Sequence, residues 1–344
     1  MKSSVRKWSI LVGVASVGLV FFGRASFVLS NHVFMREGLF GGIVLSLAID
    51  PSNPNILYTA SFGRGIFKSL DGGKLWTAVN AGLEDLSVLS LALDPRTPQV
   101  LYAGTDAGVF KSRDAGKRWQ AIGQGIERRN VRALVVDPRD PSILYAGTDA
   151  GVFKSWDRGS TWKVMNEGLS SEDVRALILD PQDPALLYAG TFDGIFKSVD
   201  GGIKWQAASE GLTSRNVRVM AIDPGDSRIL YAGTATGGVF KSMNGGQTWK
   251  SVGLEQVAIL SLAVTKTGTL YASTVRGVFK SQDGGFHWER LVYEGINLTV
   301  TFVALDPRDP ETLYAGTGGF IFKSQDGGKR WGDIAQRVID SGAR

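Results

Sequence analysis

From residue 131 the chain alternates short apolar runs with clusters of turn residues. The runs are VRALVVD (131–137), ILYAGT (143–148), GVFKSWD (151–157) and TWKVMNE (161–167). Between them stand DPRDP, an Asp-Ala pair before Gly151, an Arg-Gly-Ser turn and the linker GLSSED. Runs rich in β-branched and aromatic residues, bounded by Pro, Gly and Asp, predict four short antiparallel strands. The same pattern recurs along the chain. Its closing tryptophans are Trp76, Trp119, Trp162, Trp205, Trp249, Trp288 and Trp331, spaced 39 to 44 residues apart. Four strands in each of seven such units is the pattern of a β-propeller, where helical repeats of similar length would show a 3.6-residue period. The expectation is an all-β, seven-bladed β-propeller over residues 43–344, built as one domain of four-stranded antiparallel blades.

Each unit carries the same turn. A serine precedes Asp71, Asp114, Asp157, Asp200, Asn244, Asp283 or Asp326 by two residues, and a glycine follows two residues later. An Asp or Asn oxygen can accept from backbone amides ahead of it and hold a tight turn, with glycine at a positive-φ position. Tryptophan then opens the outer strand and packs back on the turn, so its loss should cost about 3–5 kcal/mol if buried. Asn244 keeps the acceptor and discards the charge, which points to geometry and not ionisation. Ala115 and Arg158 suggest that the middle position of the turn does not require glycine.

The amino terminus breaks the pattern. Lys2, Arg6 and Lys7 precede an unbroken apolar run from Trp8 to Phe22. Fifteen helical residues span about 22 Å, short of the roughly 30 Å hydrocarbon core. Residues 1–30 therefore read as a signal peptide, with Gly23-Arg24-Ala25 at the cleavage positions, or as an uncleaved membrane anchor extended through Phe27–Leu29. Either way the remainder is expected outside the cytoplasm: periplasmic, extracellular, or held on the outer face of the membrane. Residues 31–42 form a lead-in. Within it HVFMREGL (32–39) matches WKVMNEGL (162–169) and predicts an extra strand that closes the ring. GDIAQRV (332–338) competes for that place.

The net charge of +5 changes little. Residues 1–25 hold four basic residues and no acid, and beyond them basic residues exceed acidic ones by a single charge. The propeller is nearly neutral, which gives no support to a nucleic-acid partner. The chain has no cysteine, which excludes disulfides, thiol nucleophiles, lipid attachment at a lipobox and cysteine metal sites. His32 and His287 are the only histidines, too few for a histidine metal site, and no cofactor is expected.

KSLDGGKLW, KSVDGGIKW and KSQDGGKRW resemble the Asp-box, or bacterial neuraminidase repeat, S-x-D-x-G-x-x-W. The resemblance covers about residues 43–337. Asp-box propellers include sialidases, xyloglucan-hydrolysing glycosidases, the sortilin ectodomain and photosystem II assembly-factor propellers. The whole unit, DPxxPxxLYAGT…GVFKSxDGG…W, is similar to the broad WD40/YVTN/BNR-like group. In that group the Asp-box is a fold element, so the resemblance implies a fold and no particular activity. The F/Y-R-I-P motif of sialidases is absent, and seven units stand where sialidases have six.

Function is expected where a residue departs from the repeat. If the first strand of each unit runs from top to bottom, the DPxxP and Asp-box turns lie on the bottom. The second-to-third strand turns and the linkers then lie on top. The second residue of the first strand reads Leu45, Leu89, Arg132, Arg175, Arg218, Leu260, Thr301 through the seven units. Arg132, Arg175 and Arg218, with Arg64 and Arg276 in top turns and Phe62, Phe192 and Phe320 as exposed aromatics, form a candidate anion- or peptide-binding patch. Arg128, Arg129 and Arg215 adjoin it. The competing account pairs these arginines with Asp106, Asp149, Asp193, Glu172 and Asp173. His287, beside Trp288, reads as a surface residue. DPRDP and DPQDP (Asp137/Asp140, Asp180/Asp183) are read as hairpin turns and not calcium sites, so no metal is expected. Asn297-Leu298-Thr299 fits a glycosylation acceptor.

The reading is thus an exported, non-enzymatic propeller that binds a protein or peptide, anionic where it meets the arginines. The alternatives are a carbohydrate-active enzyme or glycan-binding propeller, and a protein like the photosystem II assembly factors. A glycosidase would require two carboxylates about 5–10 Å apart in a cleft. An uncleaved amino terminus would add the membrane as a partner.

Overall fold

The computed structural model describes residues 42–291, 299–334 and the backbone of 337–339. The signal or anchor segment, the 32–39 strand and Asn297 lie outside these residues. Seven sheets follow one another around a ring, each with four antiparallel strands in sequence order from the centre outward. The fold is a seven-bladed β-propeller. In the first blade the strands are Val44–Ile49, Leu57–Ser61, Gly65–Ser69 and Leu75–Ala78. Among the described residues no helix is long and apolar enough to cross a membrane.

The hydrophobic core is divided among the gaps between blades. One cluster joins Tyr58, Ala60 and Ile66 of the first blade to Leu91, Leu101, Phe110 and Trp119 of the second. Another joins Val44, Leu57 and Trp76 to Phe302, Tyr314 and Ile321 of the last, which closes the circle. Each sheet therefore buries both faces, and its second and third strands read as nearly continuous apolar runs. The blades come closest near the axis. A Cβ added at Gly104 would lie 2.6 Å from the Val131 carbonyl oxygen, so only glycine fits between those sheets.

The repeated turn is a hydrogen-bonded unit. Ser69 Oγ donates to Asp71 Oδ1 (2.8 Å) and accepts from the Gly73 amide (2.9 Å). Asp71 Oδ1 also accepts from the Leu75 amide (3.0 Å). The other turns repeat these contacts, and Asn244 Oδ1 accepts from Ser242 Oγ and the Thr248 amide as an aspartate does. The Arg118 amide holds the Asp114 carboxyl below its ordinary range, and the Lys204 amide does so for Asp200. Asp326, on the amide of Arg330, is drawn down to about 2. The middle position of the turn takes residues other than glycine in two blades, at a cost in backbone strain. The middle residue has positive φ in every blade, and Ala115 and Arg158 are forced to 60°. The position favours glycine, because a Cβ is strained in that region.

That middle residue also joins neighbouring blades. In six blades its amide donates to the DPxxP-type turn of the same blade, as from Ala115 to the Gln99 carbonyl. In four of the turns its carbonyl accepts from both the lysine and the tyrosine of the preceding blade. Lys154 Nζ (2.7 Å) and Tyr145 Oη (3.2 Å) both reach the Gly201 oxygen. In all seven blades this lysine lies over the tyrosine ring, 4.9 to 5.5 Å from its centre. Burial pushes the Lys111 ammonium down to about 8, helped by Arg113 and Arg158. The tryptophans make a second joint. The indoles of Trp119, Trp205, Trp249 and Trp288 donate to carbonyls of the preceding blade (2.7–2.8 Å), while Trp162 and Trp331 donate to their own turns.

Gly332–Asp333 is the outermost strand of the seventh blade, and Arg337–Ile339 pairs in parallel with Leu75–Thr77 of the first. The carboxyl end thus bridges the last blade and the first. Across the same seam the Val44 amide donates to the Thr317 carbonyl (3.3 Å), and Arg308 Nε donates to the Pro51 carbonyl (3.0 Å).

Candidate functional site

Both sets of turns named in the sequence occupy one face, since the Asp-containing turns hydrogen-bond to the DPxxP-type turns of the same blade. Asp137 Oδ1 accepts from the amides of Arg139 (2.7 Å) and Asp140 (3.1 Å), the local geometry of a side-chain-stabilised turn. Among the described residues no group of three or more His, Asp or Glu side chains is arranged to hold a metal ion. His287 is exposed and contacts Asp283 through Nδ1 (2.5 Å).

The opposite face holds the departures from the repeat. The second residue of the innermost strand is a β-bulge in six blades, skipped by the register between Val44 and Ser46 and at the equivalent points further on. A bulge adds an unpaired residue and re-aims its side chain, and it bends the strand end where it enters the channel. Leu45, Leu89, Arg132, Arg175, Arg218 and Leu260 are those bulged residues. The mouth of the channel therefore has a leucine arc on blades six, one and two and an arginine arc on blades three to five.

The arginine arc is a network centred on Asp173. Its Oδ1 pairs with Arg132 Nη1, and its Oδ2 accepts from Arg175 Nε (3.1 Å) and Nη2 (2.7 Å). Arg175 Nη1 continues to Asn216 Oδ1 (2.9 Å). Arg132 Nε donates to Asn130 Oδ1 (3.2 Å), and Asn130 Nδ2 donates to Asp106 Oδ1 (2.6 Å). The Asn130 amide reaches Asp149 Oδ1 (3.3 Å). Asp106 and Asp149 thus flank one asparagine. Burial raises the Asp106 carboxyl above its ordinary range, Asp85 and Asp149 add to the rise, and Arg132 opposes it. Arg215 and Asp193 approach to 3.8 Å at an exposed edge.

Arg218 stands outside this pairing. Only 8 % of the residue is exposed, and its Nε is buried with no hydrogen-bond partner. Burial lowers its affinity for the proton, and Arg175 beside it adds to the effect.

The three aromatic candidates separate. Phe192 is 56 % exposed, with the Arg175 guanidinium 5.3 Å from its ring centre. Phe62 is half-buried against the core shared by the first and last blades. Phe320 is also half-buried, its ring 6.5 Å from that of Phe322. Arg64 and Arg276 are exposed in turns of blades one and six, whereas the network occupies blades three to five. Asn130 and Asn216, which the sequence reading did not single out, carry the network between blades. A signal existed in the triplets Asn130-Val131-Arg132, Asp173-Val174-Arg175 and Asn216-Val217-Arg218. Each places a polar anchor two residues before the bulged arginine.

No family model matches the chain, and no curated protein is similar to it. Among solved structures, it is similar to the GH74 xyloglucanase of Xanthomonas campestris, with 20 % identity and a TM-score of 0.71 over 85 % of this chain and 53 % of that one. The extracellular domain of a two component system of B. thetaiotaomicron gives 18 % identity and a TM-score of 0.68, over 86 % and 39 %. YCF48 bound to D1 peptide gives 15 % and 0.62, over 88 % and 94 %. The chain spans about half the length of the xyloglucanase and nearly all of YCF48. At these identities the likeness is one of fold: the protein is a β-propeller.

Proposed function

We propose that the protein is an exported β-propeller of the Asp-box type that binds a protein or peptide partner at the top-face mouth, without catalysis. The observation that carries this reading is the surface built on Arg175. A guanidinium fixed by Asp173 and Asn216 lies against the exposed ring of Phe192. Positioned Arg and aromatic side chains beside each other are the composition of binding hot spots. The full-length fold likeness to YCF48, solved with a D1 peptide, is consistent with it. On this account the repeated acids of the turns serve the fold alone.

One observation favours a second reading, a carbohydrate-active propeller. Asp106, its carboxyl raised, and Asp149 flank Asn130 on the top face. A carboxyl whose hold on its proton is raised, with a second carboxyl near it, is the starting arrangement of a glycosidase. Against it, both acids are bonded to Asn130 of the protein itself. The two readings separate when the purified protein is applied to a peptide array and a glycan array, with Arg175→Leu alongside. Peptide retention that weakens at least tenfold in R175L supports the first. Glycan retention lost in Asp106→Asn and kept in R175L would replace it with the second.

A further inference from the structure

The bulge position accepts an apolar side chain at Leu45, Leu89 and Leu260, all of them buried. The fold therefore does not need a charge there. Arg132 and Arg175 compensate theirs by sharing Asp173. Arg218 does not: among the described residues it has no hydrogen-bond or ion-pair partner, and its Nε is enclosed. Its charged neighbour is Arg175, another cation. Asn216, two residues before it, is already engaged by Arg175. A buried guanidinium left without an acceptor is strongly unfavourable, and a leucine would avoid that penalty. A planar fork of N–H donors fits the two oxygens of a carboxylate.

We infer that Arg218 is the seat of one carboxylate entering from the top-face mouth, with the bulged Leu260 of the next blade as the apolar wall for the group that bears it. The charge balance disfavours a multiply charged anion. Asp106, Asp149 and Asp173 match the three arginines of the arc in number, but only Asp173 is bonded to their guanidiniums and none of the three acids to Arg218. A doubly charged phosphate would meet those same acids. The inference deepens the peptide-binding reading and rests on it only for the source of the carboxylate, a peptide terminus as against a small organic acid.

The test is thermal unfolding of the full chain and of Arg218→Leu. Each is measured in sodium acetate against sodium chloride at matched ionic strength. Each is also measured with a short peptide ending in a free leucine carboxylate and with its amidated twin. Acetate should raise the wild-type midpoint, by about 5 °C at a hundredfold excess over Kd. It should leave R218L unmoved, while R218L without ligand melts above the ligand-free wild type. In the wild type alone, the Arg218 Nε–H resonance should shift on adding acetate, a readout that does not depend on how the variant folds. A free-acid peptide that stabilises where the amide does not makes a peptide terminus the source. Stabilisation by acetate and by neither peptide keeps the seat and overturns the peptide reading. Equal acetate responses in both proteins, no response beyond chloride, or equal stabilisation by acid and amide would overturn the seat.

Discussion

Asn244 and Ala115 define what the repeated turn requires. Asn244 accepts the same amides as the aspartates, so the acceptor oxygen is the shared feature and the charge is an addition. Ala115 and Arg158 sit at φ 60° where the other blades have glycine. Relieving that conformation stabilises the fold, partly offset by glycine's greater unfolded entropy. Ala115→Gly and Arg158→Gly should each raise unfolding stability by about 0.5–1 kcal/mol in urea titration, whereas Gly201→Ala should lower it. The aspartates add a pH dependence whose sign follows from their depressed values. Their stabilisation is complete above the unfolded pKa of about 3.9 and is lost as pH falls through the lower folded values. The midpoint of unfolding should hold from pH 7 to 5 and drop below pH 4. Asp114→Asn should flatten the drop while changing stability little at pH 7.

At the scale of strands, register decides which residues matter, and register is only half legible in a sequence. The four-strand period and the turn chemistry were readable because each rests on local rules: alternation, Pro and Gly breaks, and an Asp two residues before a Gly. The bulge was not. It exists only when Val131 and Ala133 pair with Thr148 and Gly147 and leave Arg132 over, and no residue of the strand announces that. Phe62 and Phe320 turned inward for a similar reason, since the core that receives them comes from other strands. The triplet Asn216-Val217-Arg218 was visible, but its partner Arg175 lies a full blade away. Ring closure likewise depended on a pairing between distant segments, Arg337–Ile339 with Leu75–Thr77. Ending the chain after Ile334 should remove that strand and cost about 2 kcal/mol, from roughly two ladder bonds at about 1 kcal/mol each. Amide exchange should then speed up at Leu75 to Thr77 and stay slow in the blades opposite.

As a whole, the molecule separates its two faces by task. Serine, aspartate, lysine, tyrosine and tryptophan repeat on one side and around the rim because each closes a turn or ties one blade to the next. The other side carries what does not repeat: three bulged arginines, their asparagine and aspartate anchors, and one exposed phenylalanine. That division predicts that the turn acids are silent in binding and that the arginine arc is not. The direct measurement is retention on a peptide array by the wild type, by Asp114→Asn with Asp200→Asn, and by Arg175→Leu with Arg218→Leu. The account predicts unchanged retention for the turn variant and at least a tenfold loss for the mouth variant. Binding lost with the two turn aspartates in a protein that remains folded, and kept without the two arginines, would contradict it.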